Sequence, residues 1–127
     1  MIPLRNKLDR LEDALHAADI AWWEIEFPSG TVFFSENKTR MLGYTSENFF
    51  HYTHFTDLVH PEDLPAAMTS MTNLISGKSD VYETTYRIRG KDGLYKTFYD
   101  KGRIVSRLKG EFTVGGIVML VADEAKA

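Results

Sequence analysis

The chain has no cysteine among its 127 residues. That excludes disulfides, thiolate nucleophiles, thiolate metal sites and any cofactor attached through sulfur. No stretch approaches the ~20 consecutive apolar residues of a membrane-spanning helix. The opening MIPLRNKLDRLEDA is charged throughout and lacks the apolar centre of a signal peptide. There is no excess of positive charge: Lys and Arg number 15 against 18 Asp and Glu, for a net charge of −3. A nucleic-acid partner is therefore not expected. No glycine-rich phosphate loop is present, since Gly115-Gly116 lies inside an apolar run with no helix after it. Internal repeats and low-complexity segments are also missing. These absences point to a reducing, cytoplasmic setting, for a free protein or for the cytoplasmic part of a membrane-anchored one, with no direct membrane insertion.

What remains suits one globular domain with its own core. Hydrophobic residues make up 43% and charged residues 26%, and the length is near that of a typical domain. Leu4, Leu8, Leu11, Leu15 and Ala18 are spaced four, three, four and three, which predicts an amphipathic helix over residues 1–19. Two heptads are too few for a free coiled coil, so the stripe either docks on this chain or pairs with a second copy. Trp23, Ile25 and Phe27 alternate with Glu24 and Glu26, and Pro28-Ser29-Gly30 separates them from Thr31-Val32-Phe33-Phe34, which predicts a hairpin. A short helix is expected over Asn37–Leu42 with Gly43 as its stop, and one turn near Ser46–Phe50. Leu64, Ala67, Met68, Met71, Leu74 and Ile75 predict a longer helix closed by Gly77. Tyr82–Arg89 reads as a half-buried strand, Lys91-Asp92-Gly93 as a tight turn and Leu94–Val105 as a strand with Gly102 as a bulge. The last strand, Phe112–Val121, is apolar on both faces and belongs at the centre of a sheet. Something must cover its outer face, and the leucine stripe is the candidate, from this chain or a partner. The class is α+β, an antiparallel sheet packed on helices.

Five stretches in this order resemble a PAS domain of the kind common in bacterial and archaeal signalling proteins. They are AWWEIEFPSGTVFFS, MLGY, LVHPEDL, YRIRGKDGLYK and VGGIVMLV. The resemblance implies a five-stranded sheet in the order 2-1-5-4-3 around short helices, with the PAS unit over 20–122 and an output linker or tail from 123 to 127. It implies a non-enzymatic sensory module that binds a small ligand or dimerises, through the N-terminal helix (Leu4, Leu8, Leu11, Leu15) and the sheet face. Such a module controls an output domain, for example a histidine kinase in a two-component system, in cis or in trans. The chain departs from the family twice. Thr97 stands where a tryptophan is frequent, and Leu120-Val121-Ala122 replaces the usual Asp-Ile-Thr, so the usual relay is in question. Ending at Ala127, the chain reads as an excised domain or a free-standing protein.

LVHPEDL carries a histidine, a glutamate and an aspartate within four positions. Each has a structural role available: Pro61 holds His60 extended, Asp63 can cap the following helix, Glu62 and Asp63 suit its positive end, and Pro65 is tolerated in the first turn. No catalytic residue is assigned. His51, His54 and His60 form a weak alternative as metal ligands. The cofactor is not identified by the sequence. A cysteine-linked flavin is excluded, and haem is disfavoured because the resemblance calls for an axial histidine in the long helix, which carries Met68 and Met71 instead. Noncovalent flavin or a small organic ligand stays open. The candidate lining is Phe33, Leu42, Phe49, Phe55, Leu58, Met68, Met71, Tyr86, Ile88 and Phe98. A closed core predicts no cavity beside Met68 and Tyr86, and a ligand site predicts one. The other class of reading is a stand-alone ligand carrier or a small α+β enzyme. Its best acid–base candidates, Glu24 and Glu26, lie on the polar side of their strand, which argues against catalysis.

Overall fold

The computed structural model describes residues 3–123. Helix α1 (Leu4–Ala17) leads into strands β1 (Ile20–Phe27) and β2 (Val32–Phe34). Helix α2 (Asn37–Leu42), a 3-10 turn (Ser46–Asn48), helix α3 (Thr53–Thr56) and helix α4 (Leu64–Ile75) follow. Strands β3 (Tyr82–Arg89), β4 (Tyr95–Leu108) and β5 (Glu111–Asp123) complete the chain. The five strands form one antiparallel sheet in the order β2-β1-β5-β4-β3. The apolar run of β5 thus lies between β1 and β4, where both faces of a strand are shielded.

Alternation sorts the sheet into two faces. Ala21, Trp23, Val114, Val118, Phe98, Tyr82, Tyr86 and Ile88 point to the helices and are buried. Leu42, Phe55, Val59 and Leu74 meet them from the helical side. Gly43 ends α2 in the left-handed region at φ 84°, a conformation that a Cβ disfavours. Gly102 is not a bulge. It stands in register with Tyr82 on one side and Gly116 on the other, and the irregularities of β4 fall at Thr97/Phe98 and Ile104/Ser106. Its missing side chain serves close packing instead, because a Cβ there would lie 2.9 Å from the Trp23 ring.

The leucine stripe does not cover the sheet within this chain. Leu4, Leu8 and Leu11 are 72%, 54% and 56% exposed, and only Leu15 is partly buried. The C-terminal half of α1 leans on β1, where Trp22 Nε1 donates to Glu12 at 3.3 Å. On the outer sheet face Val105 and Val121 stay exposed.

Candidate ligand site

The segment before α4 has a different job from a helix cap. Asp63 occupies the N-cap position but makes no side-chain capping bond. Its carboxylate accepts from Arg87 instead, from the backbone N–H and Nε at 2.8 Å each and from an Nη at 2.9 Å. Glu62 accepts from the same guanidinium at 3.2 Å. The hydrogen bonds to Arg87 hold the Asp63 carboxyl at about 2, below the usual carboxylate range. The backbone joins in: His60 N–H donates to Arg87 C=O and Arg89 N–H to Leu58 C=O. The His60 ring packs on Tyr95 and its Nδ1 accepts from Glu62 N–H. LVHPEDL is a clamp that fastens the start of α4 to β3, the edge strand of the sheet, and shields that edge.

Between α4 and the sheet lies a cavity of about 260 Å³, beside Met68 and Tyr86. A closed core is therefore not what forms. Leu64, Ala67, Met71 and Ile75 line one side, and Trp23, Ile25, Val32 and Ile88 the other. Met68, Thr72 and Ile75 are lining residues that are also exposed, so they form its rim. At roughly 30 Å³ per water-sized unit, the space holds on the order of ten non-hydrogen atoms.

The cavity is mostly apolar, with the hydroxyls of Tyr52, Thr56 and Thr72 in its wall, and it holds one charged cluster that ordinary patterning does not lead one to expect. Lys38, from α2, and Asp100, from β4, both line it and are 6% and 5% exposed. Lys38 Nζ lies 3.9 Å from the centre of the Phe55 ring, a cation–π contact that partly replaces lost water. Burial pushes the lysine down and the Asp100 charge opposes this. Burial pushes Asp100 up, against the pull of Lys38, Tyr86, Trp23 and Tyr82. Tyr86 Oη donates to Asp100 Oδ2 at 2.8 Å. Asp100 Oδ1 and Trp23 Nε1 are buried without a partner in hydrogen-bond geometry. Burial and the neighbouring carboxylate raise both Tyr82 and Tyr86, so both hydroxyls stay protonated donors.

Among the residues singled out from sequence, Phe55, Met68, Met71, Tyr86 and Ile88 stand at this cavity. Leu42 and Phe98 are buried in the core away from its wall, Phe49 and Leu58 pack at the core's edge, and Phe33 is 49% exposed. The hydroxyl of Tyr86 finds its partner in Asp100. Sequence reasoning missed both charged residues. Asp100 carried a signal, since Phe98, Asp100 and Gly102 share the inward face of an alternating strand. Lys38 carried none, because it sits in a helix whose other residues are mostly polar.

His51 and His54 are near neighbours, with ring centres 6.3 Å apart, while His60 lies apart against Tyr95. Each Nδ1 of the first two is engaged locally, His51 with Thr53 and His54 with the N–H groups of Phe50 and His51. Among the described residues no three His, Cys, Asp or Glu side chains gather as metal ligands. Glu24 and Glu26 are exposed on the outer sheet face. Thr97 is partly buried at the irregularity of β4, between Arg87 and Ala122. No described helix is long and apolar enough to cross a membrane.

The PAS fold family matches residues 31–117. The chain belongs to the PAS family. It is 27% identical over 129 residues to the methyl sulfide methyltransferase-associated sensor of Methanosarcina acetivorans, covering 96% of this chain and 12% of that protein. It is 29% identical over 120 residues to the blue-light-activated histidine kinase of Brucella ovis, covering 94% of this chain and 24% of that protein. This PAS domain therefore spans from an eighth to a quarter of these relatives. Among solved structures, a sensory box histidine kinase/response regulator from Burkholderia thailandensis superposes with a TM-score of 0.72 at 19% identity, over 92% of this chain and 88% of that one. The N-terminal domain of a diguanylate cyclase with a PAS/PAC sensor from Marinobacter aquaeolei gives 0.66 at 19% identity, over 81% and 95%.

Proposed function

We propose that this PAS domain is the ligand-binding sensory module of a cytoplasmic signalling protein. The observation that carries the reading is the cavity of about 260 Å³ between α4 and the sheet, with a buried lysine and aspartate in its wall. A space of this kind, mostly apolar with few polar groups, is suited to a small organic molecule. The module itself has no assigned catalytic residue, and its output is a separate domain such as a histidine kinase.

Ligand entry shifts the balance between two arrangements of α4 and the sheet. The carbonyl of Asp19, at the α1–β1 junction, accepts from Leu120 N–H at 3.1 Å. That bond ties the N-terminal helix to the end of β5, where the family's Asp-Ile-Thr is replaced, and offers a substitute relay. The division we adopt is residues 1–19 as signalling and dimer helix, 20–122 as the PAS unit and 123–127 as the start of a linker. Residues 1–2 and 124–127 lie outside the described residues. The exposed leucines of α1 and the outer sheet face support a homodimer.

Native mass spectrometry of the purified domain, against Met71→Trp, tests the ligand reading. A small molecule should travel with the wild type, and the bulky indole between Met68 and Ile75 in the cavity wall should displace it. A wild type that neither retains a molecule nor takes one up from a mixed metabolite extract would refute the reading.

A further inference from the structure

The cavity wall restricts the chemistry of its ligand, and the following step rests on the ligand-binding reading. Lys38 and Asp100 are both nine-tenths or more buried and both line the cavity. Lys38 and Asp100 make no direct ion pair with each other, unlike Arg87 with Glu62 and Asp63. An isolated buried charge is costly unless paired and hydrogen-bonded. Lys38 has the face of Phe55, and Asp100 has the hydroxyl of Tyr86 on Oδ2. Trp23 and Tyr82 also bear on the Asp100 carboxyl from within the wall, whereas the Lys38 ammonium has only a ring face.

Three ligand types fit poorly. A purely apolar molecule leaves the Lys38 charge without a counter-ion. A simple carboxylate serves Lys38 but adds a second negative charge near Asp100. A simple amine serves Asp100 but adds a second positive charge near Lys38. A molecule with both charges, close together on an apolar body, keeps the buried site neutral and gives each buried charge a counter-charge. We propose that the cavity takes a small apolar α-amino acid, with its carboxylate toward Lys38, its ammonium toward Asp100, and its side chain among Leu64, Met68, Met71 and Ile75. A volume of about 260 Å³ matches molecules the size of leucine, methionine or phenylalanine.

The test is calorimetric titration of the wild-type domain with L-leucine, L-methionine and L-phenylalanine. The deaminated and decarboxylated counterparts of each amino acid (isocaproate and isoamylamine for leucine) are titrated beside them, with indole as a neutral apolar probe and the Met71 methyl resonance reporting where each binds. At least one amino acid should bind ~10-fold or more tighter than its counterparts, each lost charge contact being worth about that ratio. Lys38→Met should abolish the preference over the amine, and Asp100→Asn the preference over the acid, with circular dichroism checking that each variant folds. The wild-type series decides alone if a variant does not fold. Amino acids no tighter than their counterparts, or absent binding where indole shifts Met71, would overturn the head-group assignment and leave the ligand-binding reading intact. If indole also fails to bind, both fall.

Discussion

Gly115 and Gly116 are adjacent in β5, and the same substitution at each should have opposite consequences. A Cβ on Gly116 would lie 2.0 Å from the carbonyl oxygen of Lys101 and 2.6 Å from Gly102 Cα. Those atoms are backbone of the neighbouring strand, so no rotamer change relieves the contact. Reaching even 3.0 Å requires β4 and β5 to part by about 1 Å at the middle of the sheet, where ladder bonds on both sides resist. A Cβ on Gly115 would meet Glu24 Cγ and the methyls of Val105 at 3.4 Å, which are side-chain atoms on the solvent face.

Overpacking of a rigid core costs about 1–3 kcal/mol, and a backbone clash belongs at the upper end. Replacing glycine returns about 0.4–1 kcal/mol through the unfolded chain. The net is a loss of about 2 kcal/mol for Gly116→Ala, and a change between zero and a gain of about 0.5 kcal/mol for Gly115→Ala. For a chain of this size 1 kcal/mol moves Tm by roughly 3–6 °C. Gly116→Ala should therefore melt roughly 6–12 °C lower, and Gly115→Ala within about 3 °C of the wild type. Thermal unfolding by circular dichroism, with urea midpoints as a check, measures both. Equal shifts for the two variants would refute the argument that the β4–β5 spacing is fixed by this contact. The matter reaches the cavity, because Trp23 crosses Gly102 beside this point and carries the orphan indole N–H.

The clamp has a pH signature. Arg87 holds Asp63 at about 2, below its unfolded value of roughly 4. A depressed carboxylate stabilises the fold above the unfolded value and loses that contribution as pH falls through the folded one. Asp63→Asn should thus be less stable than the wild type at neutral pH, with the gap closing between pH of roughly 4 and 2; urea unfolding across this range that shows a constant gap would contradict it. The dimer reading predicts that Leu8→Glu lowers the mass measured by sedimentation equilibrium while leaving the fold intact, as Leu8 is 54% exposed. An unchanged dimer would place the interface elsewhere.

Much of the fold was legible because its elements announce themselves locally. The helix over Leu64–Ile75, the strand over Tyr82–Arg89 and the Gly43 stop stand where periodicity and turn chemistry put them. The apolar run of β5 required a central place, and the sheet order provides it. What was not legible depends on contacts between distant residues. Asp63 has the chemistry of a cap, and nothing local says that Arg87, 24 positions away, offers three better donors through its backbone N–H and its guanidinium. The burial of Lys38 is likewise decided by where α2 meets Phe55 and β4. Gly102 failed as a bulge for a related reason: a glycine inside a strand marks either an irregularity or a close approach, and only the position of Trp23 tells the two apart.

The clamp and the cavity are parts of one arrangement. Helix α4 supplies one wall of the cavity through Leu64, Ala67, Met68, Met71 and Ile75, and its first turn is fixed to β3 by Asp63, His60 and Arg87. Its middle is tied to the same strand, where the Ser70 hydroxyl donates to Glu83 C=O and accepts from Glu83 N–H, and beyond the buried Leu74 the helix ends exposed at Ile75 and Ser76. On the proposed reading, a ligand that fills the space acts on a wall pinned at Asp63 and Ser70, and displacement is greatest in the last turn at Ile75. The opposite wall is the sheet itself, where Asp100 pairs across to Val118 of β5 and Ala21 faces Val118 from β1. A pull on Asp100 is felt in β4, the strand bonded directly to β5, and β5 reaches the α1 junction through Leu120 and Asp19. On the proposed reading, recognition of a head group by Lys38 and Asp100 and movement of the strands that reach α1 are mechanically the same event, which is a physical reason for a sensory domain to keep two costly charges in a mostly apolar core.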